Sequence, residues 1–553
     1  MSLHMEQQTR ILQELSDIAS GREMVGCAIY GAEVCGYAGP DTDVDVLLIL
    51  KDYLPGVKYH FKKLDGKYAA ILVVDKGLFE KDVEKALLGE FVAARILARY
   101  IPLVNPVYLG HHEVSLKKRI VGESLESLAL EYTHLLDEIL ISPEFFLFDK
   151  VNRILKVYPF FKYHYLNAFR EDLKARNLEA TMPGFRSALN ELAADGLVSL
   201  QDGFVRTKES FIAKTTRKRL LPAEIGKNLE RSAVSYVVAG LSRSINPLMV
   251  LRETLRMVDR ELSLLDLEKQ ELDDPKSFLF LPVKHGVVKL SDETTIGGFV
   301  QSIPMFKAAT DIKVSRLSAV FNTVYLIELT VAGEKHRVVA KKFEEWINAK
   351  WINLALWAFG TQNFVVLGRR RLANECAMNR AMNRLGFHVP EIYHVSWERR
   401  MLFEEYVQGT PLERTVKTLA TETLNDRDLE LIRRAGGLVA KIHQKEYVLG
   451  DCKPENMILD PDDRLFVIDL EQAGKRGNKI WDVAEFVYYG CRYGVHRVGI
   501  RAVTRSFIQG YLQEGSRDVV VAASRPQYAR VFAPFVPAHL LMETAKELAG
   551  AKP

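Results

Sequence analysis

The sequence predicts an α+β protein of several domains: an α/β domain first, then a helical region that ends in a small β-hairpin, and last a two-lobed domain. Three observations predict this class. The chain has 553 residues, too many for one hydrophobic core when a domain averages about 150 residues. Apolar runs with strand spacing occur in residues 26–75 and 316–341, whereas helical spacing prevails in residues 143–196. A loop followed by an apolar hairpin occupies residues 450–471.

The predicted boundaries follow changes in these patterns. Residues 222–271 indicate two helices, and Asp273-Asp274-Pro275 is typical of a linker. The predicted segments are 1–125 for the first domain, 126–213 for the helical and hairpin region, 214–275 for a helical linker, and 276–553 for the last domain, with lobes at about 300–402 and about 409–553.

The composition is that of an ordinary globular protein and excludes several classes. Hydrophobic residues make up 48% of the chain, charged residues 26%, and the net charge of +4 does not indicate nucleic-acid binding by the chain as a whole. The five cysteines include no CxxC pair, which argues against a disulfide framework or a zinc site and favours a reducing cytoplasm. No signal-peptide pattern and no apolar run near 18 residues is present, so we expect no membrane partner.

The first domain carries candidate metal ligands. A strand ends at Gly31-Ala32, and Asp43 and Asp45 alternate on a second strand, so both carboxylates face the same side. Asp75 ends the apolar run 69–74 and is the candidate third carboxylate. Carboxylates arranged in this way can share a pair of divalent ions. The alternative is an edge strand with solvated acids.

Residues 20–120 resemble the nucleotidyltransferases of the DNA polymerase beta type, which have a Gly-Ser turn, an Asp-x-Asp strand and a later carboxylate. The resemblance implies that fold, with metal at Asp43, Asp45 and Asp75. Ala32 stands where the family usually has Ser, which puts nucleotide binding in doubt.

The middle region resembles a winged helix-turn-helix. Three helices are expected, the last beginning at Pro183-Gly184 with Phe185, Leu189 and Leu192 on one face, and Gly196 is the expected C-cap. A hairpin follows over residues 197–206. The candidate phosphate contacts are Lys174, Arg176, Arg186 and Arg206, with a basic run at Lys214, Arg217, Lys218 and Arg219. Nucleic acid is therefore a candidate partner, but nearby acidic residues dilute the positive face, and a packing or dimerisation module is the alternative.

The loop and hairpin of the last domain match the needs of phosphoryl transfer. That chemistry requires one carboxylate to orient the attacking hydroxyl, an Asn to hold a metal, and a second Asp to hold the metals that bridge the phosphates. Asp451 and Asn456 lie on one loop, and the apolar strands around the turn 460–463 should return Asp469 beside Asn456. An unrelated surface loop is the alternative.

A lysine and a glutamate should complete the nucleotide site. Val338-Val339-Ala340-Lys341 ends a strand, and Glu375 lies on the helical stretch that follows. Lys342 could instead point inward; Lys341 is preferred because Lys342 would share the outward face with Glu344.

Two further segments are candidates for nucleotide contacts. Residues 316–325 occupy the place of a phosphate-covering loop but contain no glycine. The candidate contacts with the phosphates are therefore Ser318, Asn322 and Thr323. A plain hairpin is the alternative. The apolar strand 400–407 is suited to be a hinge whose backbone around Glu405 and Val407 binds adenine.

Residues 300–553 resemble the atypical serine/threonine protein kinases of the RIO and KEOPS-complex group of archaea and eukaryotes. The matching positions are Val339-Ala340-Lys341, Glu375, the run Gly450 to Asn456, and Asp469-Leu470-Glu471. The resemblance implies a two-lobed kinase, ATP with Mg²⁺ or Mn²⁺, and transfer to Ser or Thr of a protein, including its own. By position Asp451 would be the base, Lys453 would steady the transferring phosphoryl group, and Asn456 and Asp469 would bind metal.

The departures from the kinase pattern are specific. Gly450 replaces the Arg of regulated kinases, and Leu470-Glu471 replace Phe-Gly. Only about a dozen residues separate Asp469 from Asp482. We expect Asp482 to brace the catalytic loop; the alternative is that it only caps its helix. The other functions considered are a small-molecule kinase, a nucleotidyltransferase acting on RNA or protein, and a nucleic-acid-binding regulator that senses nucleotide.

Overall fold

The computed structural model describes residues 5–39, 42–64, 67–158, 161–208, 211–212, 271–318, 322–344, 364–365, 367–421, 424–494 and 496–551. The chain forms two compact units, Met1–Glu131 with Ile139–Phe280, and Tyr132–Glu138 with Leu281–Pro553. Helices and strands are mixed in both. The predicted class, mixed α and β elements in more than one domain, is confirmed at that level.

The first part of the first unit is a sheet with flanking helices. Its elements are α1 (Met5–Ala19), β1 (Met24–Tyr30), α2 (Ala32–Cys35), β2 (Val44–Leu50), β3 (Val57–Leu64), β4 (Lys67–Asp75), α3 (Lys76–Lys85), β5 (Ile101–Val104) and α4 (Pro106–Tyr132). The strand order is β3-β4-β2-β1-β5, and only β2 and β4 run parallel among these neighbours. Val46, Leu48, Ile71 and Val73 are fully buried in its core because alternate strand residues face one side.

The strand direction overturns one predicted metal ligand. Because β2 and β4 are parallel, Asp45 lies beside Ala70, whereas Asp75 lies beside Leu50, five residues further along the sheet. At about 3.3 Å per residue that separates the two positions by about 16 Å. Asp75 instead caps α3, where its carboxylate accepts hydrogen bonds from the amides of Gly77 (2.9 Å) and Leu78 (3.3 Å). The prediction for Asp75 is therefore wrong.

The rest of the first unit carries the helices and hairpin predicted for the middle region. The elements are β6 (Leu140–Ile141), α5 (Glu144–Val157), α6 (Phe161–Ala168), α7 (Glu171–Ala194), β7 (Val198–Gln201) and β8 (Phe204–Thr207). Three helices followed by a hairpin are confirmed, as are the buried face of Phe185, Leu189 and Leu192 and the left-handed Gly196 (φ 73°) after the helix. The expected start of the last helix is wrong, because α7 begins twelve residues earlier and continues through Pro183.

The first unit does not divide at the predicted boundary. Helix α4 continues through residue 125, and the segments on both sides belong to the same compact unit. Two of the predicted phosphate contacts are engaged within it: Arg176 donates to the carbonyl of Cys35 (2.7 Å), and Lys174 forms an ion pair with Asp273. The basic run at Lys214, Arg217, Lys218 and Arg219 and most of the predicted linker lie outside the described residues.

The second unit begins with strands. Its first elements are β9 (Leu279–Val283), of which the first two residues belong to the first unit, β10 (Gly286–Lys289), α8 (Ile296–Ser302), β11 (Thr310–Ser318), β12 (Thr323–Val331), β13 (Glu334–Lys342), α9 (Gly368–Arg384), β14 (Ile392–Ser396) and β15 (Met401–Glu405). The last five strands form an antiparallel sheet in the order β11-β12-β13-β15-β14. Helix α8 packs on one face of this sheet, and its Phe299 ring stacks on Phe403 with centroids 4.3 Å apart.

The remainder of the second unit is mostly helical. Its elements are β16 (Thr410–Pro411), α10 (Leu412–Thr421), α11 (Asp426–Gln444), β17 (Tyr447–Val448), β18 (Met457–Leu459), β19 (Leu465–Val467), β20 (Gly474–Lys475), α12 (Lys479–Gly490), α13 (Arg497–Tyr511), α14 (Arg517–Ala523), α15 (Pro526–Phe532) and α16 (Ala538–Ala549). Helices α11 and α13 cross closely at glycine: a Cβ on Gly510 would lie 1.7 Å from the carbonyl oxygen of Arg433. Among the helices of the described ranges, none combines the length and the apolarity that a bilayer span needs.

Candidate active site

The predicted hairpin brings the two halves of the site together. Strands β18 and β19 pair antiparallel, with Met457 opposite Val467, so the residues just outside this pair are also neighbours. The amide of Ile468 donates to the carbonyl of Asn456 (2.9 Å), which places Asp469 beside the loop. Asp451, Lys453, Asn456 and Asp469 line one small pocket, as the hairpin predicted.

The Asp451 carboxylate is held by two neighbours on its own loop. Lys453 Nζ lies 2.5 Å from Oδ1, and the Asn456 amide donates to Oδ2 (2.9 Å) and to the Asp451 carbonyl (2.9 Å). Burial alone would raise the pKa of Asp451, but the Lys453 ammonium and these hydrogen bonds outweigh it and hold the pKa below its ordinary value. Asp451 is therefore ionised at neutral pH and able to accept a proton.

The loop that carries Asp451 is anchored by helix α12. The fully buried Asp482 accepts from the amides of Leu449 (2.6 Å) and Gly450 (2.8 Å), and its Oδ2 lies 3.0 Å from Nε2 of His443. Asn478 caps the helix, so the alternative in which Asp482 serves only as a cap is wrong. Gly450 has a φ of 70°, a left-handed conformation that favours glycine.

The strand lysine that points inward is Lys341. It is 5% exposed, and its Nζ lies 3.3 Å from Glu375 Oε2 and 3.5 Å from Glu471 Oε2, with an ion pair to Asp469 as well. Lys342 keeps 41% of its side chain exposed and pairs with Glu344 at 2.9 Å. The geometry thus favours Lys341 over Lys342 as the lysine of the site.

Three carboxylates surround the Lys341 ammonium. Burial would lower the pKa of Lys341, but the charges of Asp469, Glu375 and Glu471 outweigh it, so the pKa lies well above its ordinary value. Glu375, on helix α9, is 1% exposed and also accepts from the amide of Leu470 (3.0 Å), which ties the helix to the Asp469 segment. Burial raises the pKa of Glu375, and the nearby Lys341 charge opposes that shift.

Asp469 is the most accessible of the three carboxylates around Lys341. It adopts a left-handed φ of 59°, an uncommon conformation for a non-glycine residue that is often found at functional sites. Burial and the charges of Glu471 and Glu375 raise its pKa to about 7, although 34% of its side chain is exposed. Carboxylate oxygens of Glu375, Asp469 and Glu471 lie within 4.8 Å of one another, and the Lys341 ammonium contacts all three. Oxygen ligands suit Mg²⁺, and Asp469 is the member of this cluster that also lines the pocket with Asn456.

Sequence reasoning missed a buried network behind the site. The guanidinium of Arg371, which is fully buried, donates to both carboxylate oxygens of Glu471 (3.2 Å each) and to Asn322 Oδ1 (2.6 Å). Asn322 Nδ2 in turn donates to Glu471 Oε2 (2.7 Å). The sequence signal for this network was the spacing of Arg371 and Glu375: residues four positions apart lie on the same face of a helix. The prediction that the Asn322 side chain contacts phosphate is wrong, because both of its polar atoms form hydrogen bonds within this network, to Arg371 and Glu471.

The predicted hinge residues lie at the end of β15. The amide of Glu405 donates to the carbonyl of Glu391 (2.9 Å), so that amide is not available to adenine, and Val407 follows in a loop. The preceding residue, Glu404, was not singled out from the sequence. Its strand partner is Val339, which shares a sheet face with Lys341, and burial raises the pKa of Glu404 to about 8. Ser318 ends β11, but its side chain lies outside the described set.

Part of this chain is similar in sequence to known proteins. No family model matches it. It is 27% identical over 107 residues to the KEOPS complex subunit Bud32 of Pyrococcus abyssi, a match that covers 19% of this chain and 46% of that protein. It is 31% identical over 100 residues to the EKC/KEOPS complex subunit BUD32 of Gibberella zeae (17% and 38%), and 30% identical over 95 residues to the EKC/KEOPS complex subunit Tp53rkb of Mus musculus (17% and 39%).

These partial matches support a RIO/Bud32-type kinase-like region in this chain. It spans less than half the length of the curated relatives that it matches. A solved complex of Rv3197 with erythromycin from Mycobacterium tuberculosis is 15% identical, with a TM-score of 0.23, and covers 36% of this chain and 56% of that one. The nucleotidyltransferase-like and winged-helix-like assignments stay predictions.

Proposed function

We propose that the kinase-like region is an ATP-dependent phosphotransferase that phosphorylates Ser or Thr hydroxyls of a protein, its own included. One observation carries the proposal: Lys341, Glu375 and Asp469 form one charged cluster, and Asp469 shares a pocket with Asp451. Phosphoryl transfer depends on positioning and on charge stabilisation more than on covalent chemistry, so such a cluster is its main requirement.

Each residue has a role that its surroundings support. Asp451, ionised through Lys453, orients the acceptor hydroxyl and takes its proton. Lys453 places a positive charge beside the transferring group. Asn456 and Asp469 supply oxygen ligands for Mg²⁺ or Mn²⁺, while Lys341, steered by Glu375, neutralises the nucleotide phosphates. Bound Mg–ATP supplies the activated phosphoryl group.

Labelled ATP tests this function. The full chain is incubated with γ-labelled ATP and Mg²⁺ or Mn²⁺, with and without host lysate, and mass spectrometry locates the label. We expect label on Ser or Thr that is lost in Asp469→Ala. The matched control is Asp463→Ala in the neighbouring hairpin turn, where the side chain is 72% exposed and pairs with Arg434. No γ-transfer, or equal transfer by Asp469→Ala, would contradict the proposal; label on a small molecule instead would show that the acceptor is not a protein.

The cell compartment and a nucleic-acid partner are part of the proposal. All five cysteines are free and buried, which fits a reducing compartment such as the cytoplasm. For the winged-helix-like residues 126–213, Arg186 is exposed and is the basic residue best placed to contact a phosphate. Retention on DNA or RNA that weakens with salt and is lowered by Arg186→Ala would support nucleic-acid binding.

A further inference from the structure

One buried carboxyl of the second unit lies beside the charged cluster of Lys341 and has no partner of its own at one oxygen. Glu404 is 7% exposed, and its Oε2 has no hydrogen-bond partner among the residues that the structure describes. Buried polar atoms are nearly always hydrogen-bonded in folded proteins, because an unpaired one costs free energy. The Glu404 carboxyl is therefore placed to pair with a group that the chain does not supply.

The side chain of Glu404 lies on the sheet face that carries Lys341. In the antiparallel pair of β13 with β15, Glu404 is opposite Val339 and Lys341 is opposite Leu402. Opposite residues share a face, so Glu404 is the diagonal neighbour of Lys341, at about 7–8 Å. A nucleotide whose phosphates lie at Lys341 therefore brings its nucleoside toward Glu404.

This face of the sheet is open to a ligand, in contrast to the face that packs on α8. Val338 and Ala340, which face α8, are fully buried. Leu326 and Val339, which are strand partners on the Glu404 face, are only half-buried. Apolar side chains that stay partly exposed beside a few polar groups suit the flat face of a heterocyclic base.

The surroundings of Glu404 keep it protonated at neutral pH. The charged and titratable groups that face it are Lys341 on β13, Glu375 and Cys376 on α9, Asp469 after β19, and the adjacent Glu405. Burial raises the pKa of Glu404 to about 8; the Glu375 charge adds to this shift, and the Lys341 charge opposes it. A protonated carboxyl offers one hydrogen-bond donor and one acceptor side by side.

Adenine and guanine differ at the edge that such a carboxyl would meet. In the common anti form of a nucleotide, the N7 edge of the purine lies on the same side as the 5′-phosphates, and therefore nearer Lys341. Adenine presents an amino donor at N6 and an acceptor at N7 on this edge, whereas guanine presents two acceptors, N7 and O6. A protonated carboxyl can thus form two hydrogen bonds to adenine, but its acceptor oxygen would face a second acceptor in guanine.

We infer that Glu404 is the specificity-determining residue of the proposed nucleotide site and selects adenine over guanine by pairing with N6 and N7. This inference rests on the proposed function and adds the residue that reads the base. Because the donor is the proton of the carboxyl, the preference for adenine should weaken when Glu404 ionises.

Displacement of an ATP analogue that carries a fluorophore on its ribose measures this preference. The full chain with Mg²⁺ is titrated with ATP, with GTP and with 7-deaza-ATP, which lacks the N7 acceptor. At pH 6.5 we expect GTP to bind roughly 5- to 150-fold more weakly than ATP, the discrimination of one bidentate contact to a base. We expect 7-deaza-ATP to bind more weakly than ATP as well. At pH 9 the ATP preference should fall by up to about tenfold, because only about a tenth of Glu404 is then protonated.

Two variants and a matched control assign the preference to Glu404. Glu404→Gln keeps a donor and an acceptor at every pH, so it should keep the preference for ATP at both pH values. Glu404→Leu removes both groups and should bring the ratio of the two Kd values close to one. The control is Glu328→Gln on β12, where the side chain is 44% exposed and pairs with Arg337, and it should behave like the unchanged chain. An unchanged far-ultraviolet dichroism spectrum shows that each variant folds.

The outcomes separate this inference from the proposed function. A ratio near one in the unchanged chain, equal binding of ATP and 7-deaza-ATP, an equal ratio at both pH values, or a preference that survives Glu404→Leu overturns the role of Glu404, although a nucleotide still binds. A preference that depends on Glu404 without any transfer of the γ-phosphoryl group supports this role and contradicts the phosphotransferase. Failure of both ATP and GTP to bind overturns both proposals.

Discussion

Replacing Lys341 with Met should destabilise the second unit far more than replacing Lys342 with Met. The two lysines are adjacent on one strand, so chain position and side-chain chemistry are matched. Lys341 is 5% exposed and lies among Glu375, Asp469 and Glu471, whereas the Lys342 side chain is 41% exposed and pairs with Glu344. Only the first substitution removes the cation from Glu375 and Asp469, whereas Glu471 keeps its contact with Arg371.

The size of the difference follows from burial. Removing one partner of a buried ion pair costs about 3–5 kcal/mol, because the remaining charge is desolvated and unpaired. An exposed pair such as Lys342 with Glu344 contributes about 0–1 kcal/mol. The loss at Lys341 should shrink toward pH 5, since the freed carboxylates, whose pKa values burial already raises at Glu375 and Asp469, then take up protons.

Tryptophan fluorescence during urea unfolding measures this directly. All five tryptophans lie after residue 281, so the signal reports the second unit. We expect a free energy of unfolding lower by about 3–5 kcal/mol for Lys341→Met and by less than about 1 kcal/mol for Lys342→Met at pH 7.5. Similar losses for the two variants would refute the placement of Lys341.

Three other substitutions test the surroundings of the site. Glu404→Gln should stabilise the protein by roughly 1–4 kcal/mol at pH 8.5 and have no effect at pH 4.5. Burial raises the pKa of Glu404 to about 8 in the folded protein, so the free-energy cost of burying its charge is absent below the pKa of the unfolded chain. That cost grows as the pH rises and is complete above the folded pKa. Equal effects of Glu404→Gln at both pH values would contradict this. Asp482→Asn should lower kcat about tenfold to a hundredfold with an unchanged KM for ATP, because the loop loses an amide acceptor; an unchanged kcat would exclude the bracing role. Gly450→Ala should cost about 1–2 kcal/mol in thermal unfolding, against almost nothing for Gly474→Ala, whose site has open space; equal costs would contradict the left-handed requirement.

Short-range features of the site were predictable from the sequence. The number of residues in the turn sets the pairing of β18 with β19, and that pairing alone returns Asp469 to Asn456. The alternation of strand residues, with Glu344 as a guide, was enough to choose Lys341 over Lys342.

Features that depend on long-range pairing were not predictable in this way. Periodicity marks β2 and β4 as strands but says nothing of their direction, and the parallel pairing is what separates Asp75 from Asp45. The contact of Arg371 with Glu471 joins residues a hundred positions apart, so no local pattern contains it. Pro183 indicated a helix start because it lacks an amide hydrogen, yet α7 continues through it, as tertiary packing can override local preference.

In the proposed function, Lys341, Asn456 and Asp469 act on one Mg²⁺–nucleotide complex. A crystal structure of the full chain grown with Mg²⁺ and a non-hydrolysable ATP analogue tests it most directly. We expect an ion at about 2.0–2.1 Å from oxygens of Asn456 and Asp469, with Lys341 against the phosphates and Asp451 facing the terminal phosphoryl group. An analogue bound elsewhere in the second unit, or an ion that neither Asn456 nor Asp469 touches, would contradict it.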